Sequence, residues 1–456
     1  VDNAWGHYYE GIRAANFYLK ETAGLTFDEW KYSDDYEAIM KEFTNYQYEV
    51  RFLRAYFYFE LIKRYRNIPF VLDVLAQNEA NGVNPESYEK IAKFIVDECS
   101  DLAQILPVNY DNFSTKEKGR VTRAAAMALK SRVTLYMASP LFSEDSEDKW
   151  KQAAEAAYDI IKQKTDLGLD LVPYPQIFND VNNQKAEVIL YRPTGESGDF
   201  EKANFPIGVE GGKTSTCPTQ NLMEAYDMKD GTPFVWNNQS NPYDNRDPRM
   251  KYTIVCNEMK WPVDPVEIWE GGTNGLPLQN ATTTGYYLKK YVNNTISFEA
   301  GSTVTKKQHN WVLFRYGEIL LNYAEAMINA FHDPNYKDAV YNMSAREAVN
   351  QIRGRTNISL PGFPSDITEK DFVKRLKNER RVELAFEGHR FWDVRRWKEL
   401  GQTANIYGVK ITKNNEVISY EKFLLETRAV TDNMYFYPIP NTERFKNPNL
   451  GQNPGW

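Results

Sequence analysis

The sequence predicts a mostly α-helical chain, a scaffold of tetratricopeptide-like helix pairs with a long loop-rich insertion containing short strands. Three observations predict it. Apolar residues recur at helical spacing through residues 1–165. From 166 to 310 that period gives way to Gly, Pro, Asn, Thr and aromatics, with dense turn signals. At 311 helical spacing returns and runs toward the C-terminus. We read 1–456 as one domain, with 1–165 and 311–456 as helical scaffold. The intervening 166–310 is expected to carry ligand-binding residues, because long loops on a rigid scaffold are usually functional.

The first helix is WGHYYEGIRAANFYLKE, with Tyr8, Ile12, Ala15 and Leu19 on one face. A linker over 22–45 places Trp30 and Tyr32 among acids in FDEWKYSDDY. The second helix has Val50, Leu53, Phe57 and Leu61 on one face and stops soon after Tyr65, before Pro69 and a strand-like IPFV exit. Ser87 caps a third helix that ends at Pro107, with Ile91, Phe94, Ile95, Leu102 and Leu106 buried and Cys99 an inert small hydrophobe among them. Helices over 123–140 and 149–164 follow, the first with an Ala-rich face that admits a close neighbour. Successive helices with small residues at their contacts suggest the tetratricopeptide-like stack, although no strict repeat period shows.

In the middle region, EVILYR (187–192) and KYTIVC (251–256) are predicted strands. From 311, WVLFRYGEILLNYAEAMINA is predicted as a helix with Leu313, Ile319, Leu320, Tyr323 and Ala324 in the core. Ser344 and Glu347 form a capping box for a helix over 344–358. Thr368 opens the next helix, and the proline-rich tail from Tyr435 to Trp456 is predicted as an extended arm.

The rest of the chain converges on Asn378–Gly401, NERRVELAFEGHRFWDVRRWKELG. It mixes charge with bulky aromatics, as a helix and its exit do when pressed against other elements with their charges paired. Arg375 is expected to pair with Glu379 along the helix, and the like-charged Glu383 and Glu387 call for outside cations, assigned to the Arg-rich run 390–396. Glu318 and Glu325 are expected to meet that same cluster. An acid/base pair, Glu379 with Glu383 or His389 with Asp393, is the catalytic alternative. The charges follow helical spacing rather than converging on a point, which favours a buried ion network.

Composition excludes several classes. Net charge of −7 argues against nucleic acid as the main partner. Cys99, Cys217 and Cys256 give neither a disulfide framework nor a zinc site, and none of the four His forms HExxH. No apolar run approaches a membrane span. GVEGGKTS (208–215) misses phosphate-loop spacing and DNRD (244–247) lacks the calcium-loop pattern. No GxSxG or dinucleotide fingerprint is present, so no catalytic residue, metal or cofactor is expected. The chain starts at Val1, and an upstream segment is expected to precede it.

Binding is the better-supported class. Aromatics make up 14% of the chain, a high share to be spent on core, on binding surface or on both. A sugar site needs flat aromatic platforms with Asp, Asn, Arg or Gln at the edge. The candidates are Trp236 with Asn237 and Asn238, Trp261 beside Asp264, Trp269 beside Glu267 and Glu270, and Trp30 with Tyr32, Asp34 and Asp35. Capture of a non-sugar nutrient such as peptides on the same scaffold is the alternative. A hydrolase hidden in the loops requires two carboxylates across a cleft.

Four stretches carry a family resemblance: the first two helices with RAYFYF and the IPFV exit, NRDPRM (245–250), RYGEILLNYAEA (315–326), and ERRVELAFEGHRFWDVRRW with the ending YPIP and NPNLGQNPGW. Together they resemble the SusD/RagB family, surface glycan-binding lipoproteins of Bacteroidetes, with Trp456 where the family ending has Tyr. The resemblance implies a non-enzymatic, cell-surface protein of the outer membrane, held by an N-terminal lipid anchor absent from this chain. It implies oligosaccharide binding and delivery to a SusC-like TonB-dependent transporter. It also implies a structural role for the C-terminal signature and a tetratricopeptide-like arrangement of the helices.

Overall fold

The computed structural model describes residues 3–115, 117–144, 146–237, 241–299 and 305–456. The chain divides into two compact units, one running to Leu169 and rejoined by Arg395–Lys398 and Thr431–Trp456, the other formed by Asp170–Val394 and Glu399–Val430.

The first unit is a series of helices, Ala4–Thr22, Tyr36–Tyr65, Tyr88–Ile105, Arg123–Ala138 and Glu147–Lys162, each packed on the next. Ser87 accepts from the Lys90 amide and so caps its helix, and Ser146 does the same through Lys149. Close packing comes from small residues. Ala124, Ala125, Ala126 and Ala128 are buried on one helix and Ala153, Ala154, Ala156 and Ala157 on its neighbour. The long helix buries Phe52, Ala55, Tyr58, Phe59, Ile62 and Tyr65, whereas Leu53 faces solvent. Of the expected Val50–Leu53–Phe57–Leu61 stripe, Leu61 is buried, Val50 and Phe57 are part-buried and Leu53 is exposed, because packing against two neighbours replaces a single apolar stripe.

Buried Asn16 staples the unit. Its amide donates to the Val71 and Asp73 carbonyls (3.1 Å each) and its oxygen accepts from Arg54 (3.0 Å). Ile68–Pro69 pairs antiparallel with Pro85–Glu86. The C-terminal arm satisfies carbonyls that the end of the long helix leaves unbonded: the Tyr437 amide donates to Arg64 O (2.7 Å) and the Asn453 side chain to Tyr65 O (3.1 Å). The arm is not wholly extended, since Asn441–Lys446 forms a short helix after Pro440.

In the second unit, Val188–Pro193 pairs antiparallel with Asn310–Arg315. Residues 311–315 are thus strand, not the start of a helix. NWVLFR fills the ladder and the helix begins at Tyr316, running to Phe331. KYTIVC splits into a helical turn, Met250–Thr253, and a two-residue strand, Ile254–Val255, paired with Tyr287–Leu288. The Ser344–Glu347 capping box is present, and its helix ends at Arg353. The Glu369–Glu383 helix starts at the Thr368 cap. An antiparallel hairpin, Asn405–Asn414 with Val417–Thr427, follows, an element the sequence reading did not assign.

The described residues between 200 and 299 are not a set of loose loops. Met223, Tyr226, Ile254, Val255, Tyr286 and Tyr287 are fully buried in one cluster, together with Val409, Ile411 and Tyr420 of the hairpin.

Candidate functional site

The charge-rich stretch resolves first. Glu383 lies fully buried and its carboxylate accepts from Arg249, Arg315 and Arg355, each at 2.8 Å. Glu379 accepts from Arg249 and Arg353 (2.5 and 2.7 Å), and Glu387 from Arg315 and Lys290 (2.7 and 2.8 Å). Glu187 closes the network on Arg315 and Arg355, and Asp247 on Arg249 (2.7 Å). Burial alone would raise the Glu383 carboxyl, but the three guanidinium groups outweigh it and hold it well below the usual range. Burial pulls Lys290 down to about 8 in spite of Glu387.

Two expectations are corrected here. Arg375 does not pair with Glu379; it bonds the Gly231 carbonyl (2.7 Å) and approaches Asp227 (3.5 Å). The cations that neutralise Glu383 and Glu387 come from residues 249, 290, 315 and 355, not from the run 390–396. The turn at Gly388 is present, with φ +79°. Glu318 stands 4.0 Å from His389. Asp393 is held by buried Arg380 at 2.9 Å. Glu379, Glu383 and Asp393 are therefore committed to buried ion pairs, out of reach of any substrate proton, and serve the structure.

An exposed aromatic surface lies in the first unit, in the loop from Thr26 to Tyr36. The Trp30 ring is stacked on Phe27 at 5.6 Å and 18°, and Phe27 meets Phe43 of the long helix edge-on at 4.8 Å. The Trp30 amide donates to the Phe27 carbonyl (2.9 Å), and the Tyr36 hydroxyl donates to the Thr26 carbonyl, closing the loop. Phe27 holds a left-handed conformation, φ +47°. That conformation costs a residue with a side chain about 1–2 kcal/mol, and here it is held by the ring's place between Trp30 and Phe43. Trp30 is 49% exposed and Tyr32 95% exposed. Asp28, Glu29, Asp34 and Asp35 are exposed along the same loop. The result is an aromatic face backed by packed rings and bordered by carboxylates. It presents apolar area at little cost in side-chain entropy and offers acceptors to hydroxyl groups.

The other expected residues are placed differently. Trp261 is 6% exposed and belongs to the core cluster, with Lys289 4.9 Å over its ring. It packs in the core, and its residual exposed edge lines a pocket of about 350 Å³ with Tyr252, Lys289 and Tyr291. Its amide donates to the Asp264 carbonyl at 2.9 Å, and the Asp264 side chain is exposed. Trp236 and Trp269 are half-buried against the same cluster; Trp236 lies 6.4 Å from Phe234, and Lys413 stands 4.7 Å over Trp269. Asn238 lies outside the described residues. The sequence reading missed Phe27, although its place three residues before Trp30 puts the two rings on one turn.

Among the described residues, no group of three or more His, Cys, Asp or Glu is placed to hold a metal ion. Among them, too, no helix is long and apolar enough to cross a membrane.

Residues 177–456 match the sequence model of the SusD family. The chain belongs to the SusD family. Residues 1–135 match a second, SusD-like model described as starch-binding and associating with the outer membrane. A SusD-like protein P2 of Formosa agariphila is 29% identical over 163 residues, which is 34% of this chain and 28% of that relative's length. A SusD-like protein of Bacteroides fragilis superposes with a TM-score of 0.79 at 26% identity, covering 100% of this chain and 86% of the other. A SusD-like carbohydrate-binding protein of Bacteroides fragilis gives the same TM-score and identity, covering 98% and 85%. A surface glycan-binding protein A of Bacteroides uniformis shares the fold at 19% identity and a TM-score of 0.67, covering 99% and 84%. The mostly helical, tetratricopeptide-like fold is thus the SusD fold, and Glu379, Glu383 and Glu387 of the ion network lie within the matched residues 177–456.

Proposed function

We propose that this SusD-family protein binds oligosaccharides at the cell surface without transforming them. It hands them to a SusC-like TonB-dependent transporter in the outer membrane, and a lipid attached upstream of Val1 anchors it there. The observation that carries the binding reading is the Trp30 face. It is exposed, held from behind by Phe27 and Phe43, and bordered by acids. The similarity to a carbohydrate-binding protein of the same fold supports it. The commitment of Glu379, Glu383 and Asp393 to buried ion pairs supports the absence of chemistry at the signature. The region 166–310 contributes through its half-buried rings, Trp236 and Trp269, at most as a second surface.

Delivery to a transporter requires release, so the affinity is expected between micromolar and millimolar, about −8 to −4 kcal/mol. The test is a panel of oligosaccharides titrated by calorimetry, with product analysis after long incubation. Binding to one polysaccharide family with intact ligand supports the reading, whereas shortened products overturn its non-enzymatic part. Silence across the panel, with binding of peptides instead, overturns the carbohydrate part.

A further inference from the structure

A second concave surface lies in the unit formed by Asp170–Val394 and Glu399–Val430. A groove of about 880 Å³ runs beside the Glu369–Glu383 helix, and Arg381 and Arg390 both line it. Several of its other charges are paired, while Asp366, Lys370 and Lys374 are exposed along it. Lys377 pairs with Glu399 at 2.5 Å, and Arg375 bonds the Gly231 carbonyl. Asp227 is held by Arg353 at 3.2 Å, and Asp371 by the Thr368 hydroxyl at 2.9 Å. Glu224, the acid that faces Arg381, is taken by Lys422 (2.8 Å) and by the Gln220 amide (2.9 Å).

Arg381 is different. Part-buried in the groove wall, its guanidinium makes no hydrogen bond or ion pair with any described residue. Arg390 bonds only a neutral acceptor, Gln402 Oε1 at 2.9 Å, among the described residues. Burial, together with the like charge of Arg390, lowers Arg381 to about 10. The planar fork of Arg381, partly withdrawn from water, lines the groove without an acceptor among the described residues. Arg381 and Arg390 are like charges lining one cavity.

We propose that this groove binds the carboxylate or sulfate group of a soluble ligand, with Arg381 as the principal donor and Arg390 as the second. The guanidinium fork matches both anions through paired N–H donors, which a lysine would not. The cavity falls within the ~300–1,000 Å³ of ligand pockets, so it admits the body of a ligand as well as its anionic group. The anion has two sources, a free inorganic ion or an acidic sugar, and the site stands independently of the Trp30 reading because a free ion needs no sugar face.

The test titrates the full chain with sodium sulfate, with a galacturonic acid trisaccharide and with a neutral galactose trisaccharide. The expected result is salt-sensitive binding of at least one anion, weakened roughly 10- to 100-fold in Arg381→Gln, as loss of a charged hydrogen bond implies. The melting temperature of the variant should not fall. Arg390→Gln provides a second reading should Arg381→Gln fail to fold. Preference for the uronate over sulfate identifies the acidic sugar as the source, and binding of sulfate alone identifies the free ion. The proposal is overturned if neither anion binds, or if both variants bind as the parent does. Loss of neutral-sugar binding alone would touch only the carbohydrate reading.

Discussion

Replacing Glu383 by Gln isolates the role of the signature stretch, because the two side chains have nearly the same shape. The carboxylate is fully buried and takes one 2.8 Å bond from each of Arg249, Arg315 and Arg355. Around it, Asp247, Glu187, Glu379, Glu387 and Asp227 balance those arginines together with Arg353, Arg375 and Lys290, six acids against six bases. Gln removes one negative charge from that balance, leaves an uncompensated positive charge in the interior, and points its amide N–H groups at guanidinium donors. Breaking one partner of a buried ion pair typically costs about 3–5 kcal/mol. The same Glu-to-Gln change at exposed Glu369, which meets His332, should stay within about 0.5 kcal/mol. The assay is equilibrium unfolding in urea, comparing midpoints of both variants with the parent. A Glu383→Gln midpoint matching that of Glu369→Gln would refute the view that this network holds the fold.

Four further outcomes are expected. Burial would raise the carboxyl of Glu60, but Lys63 and Arg64 outweigh it and hold it down at about 2. A group depressed in the folded state stabilises above its unfolded value of about 4.3. Stability should therefore fall as pH drops from about 5 to 2, and an acid titration followed by circular dichroism reads this. Trp261→Ala should cost about 3–5 kcal/mol through a core cavity and leave sugar binding intact in the folded fraction. Glu416, at φ +68° in the hairpin turn, should tolerate Gly with a gain of up to about 1 kcal/mol, measured by melting. Burial pushes the Cys256 thiol up to about 12 and raises Cys99 further, so a maleimide should label part-buried Cys217 first in the native protein.

Local signals in the sequence were readable where a cap or period defines an element on its own. Ser87, Ser344 and Thr368 cap the helices they were expected to cap, and Pro69 follows the end of the long helix. Signals that depend on distant partners were not readable. The need of Glu383 and Glu387 for cations is visible in the sequence, but their suppliers lie far along the chain, Arg249 being 134 residues from Glu383. The hairpin went unassigned although NIYGVKITKNNEVISYEKFL alternates, because its turn uses Asn415 and Glu416 at positive φ instead of the usual Asn-Gly. The tryptophans of the middle region could not be sorted by composition. A ring beside acids is equally a platform or a core residue until packing decides, and packing put Trp261 inside and left Trp30 exposed.

The most direct test of oligosaccharide binding is calorimetric titration of the parent and Trp30→Ala with the best ligand of a glycan panel. The ring is half-exposed and its stacking partner among the described residues is Phe27 of the same surface loop, so the variant should melt close to the parent. Taking the about 1–3 kcal/mol that an aromatic platform contributes under a stacked nucleobase as the scale, the loss of affinity is expected at roughly five-fold or more. Unchanged affinity in Trp30→Ala would contradict the account and move the binding surface away from this loop.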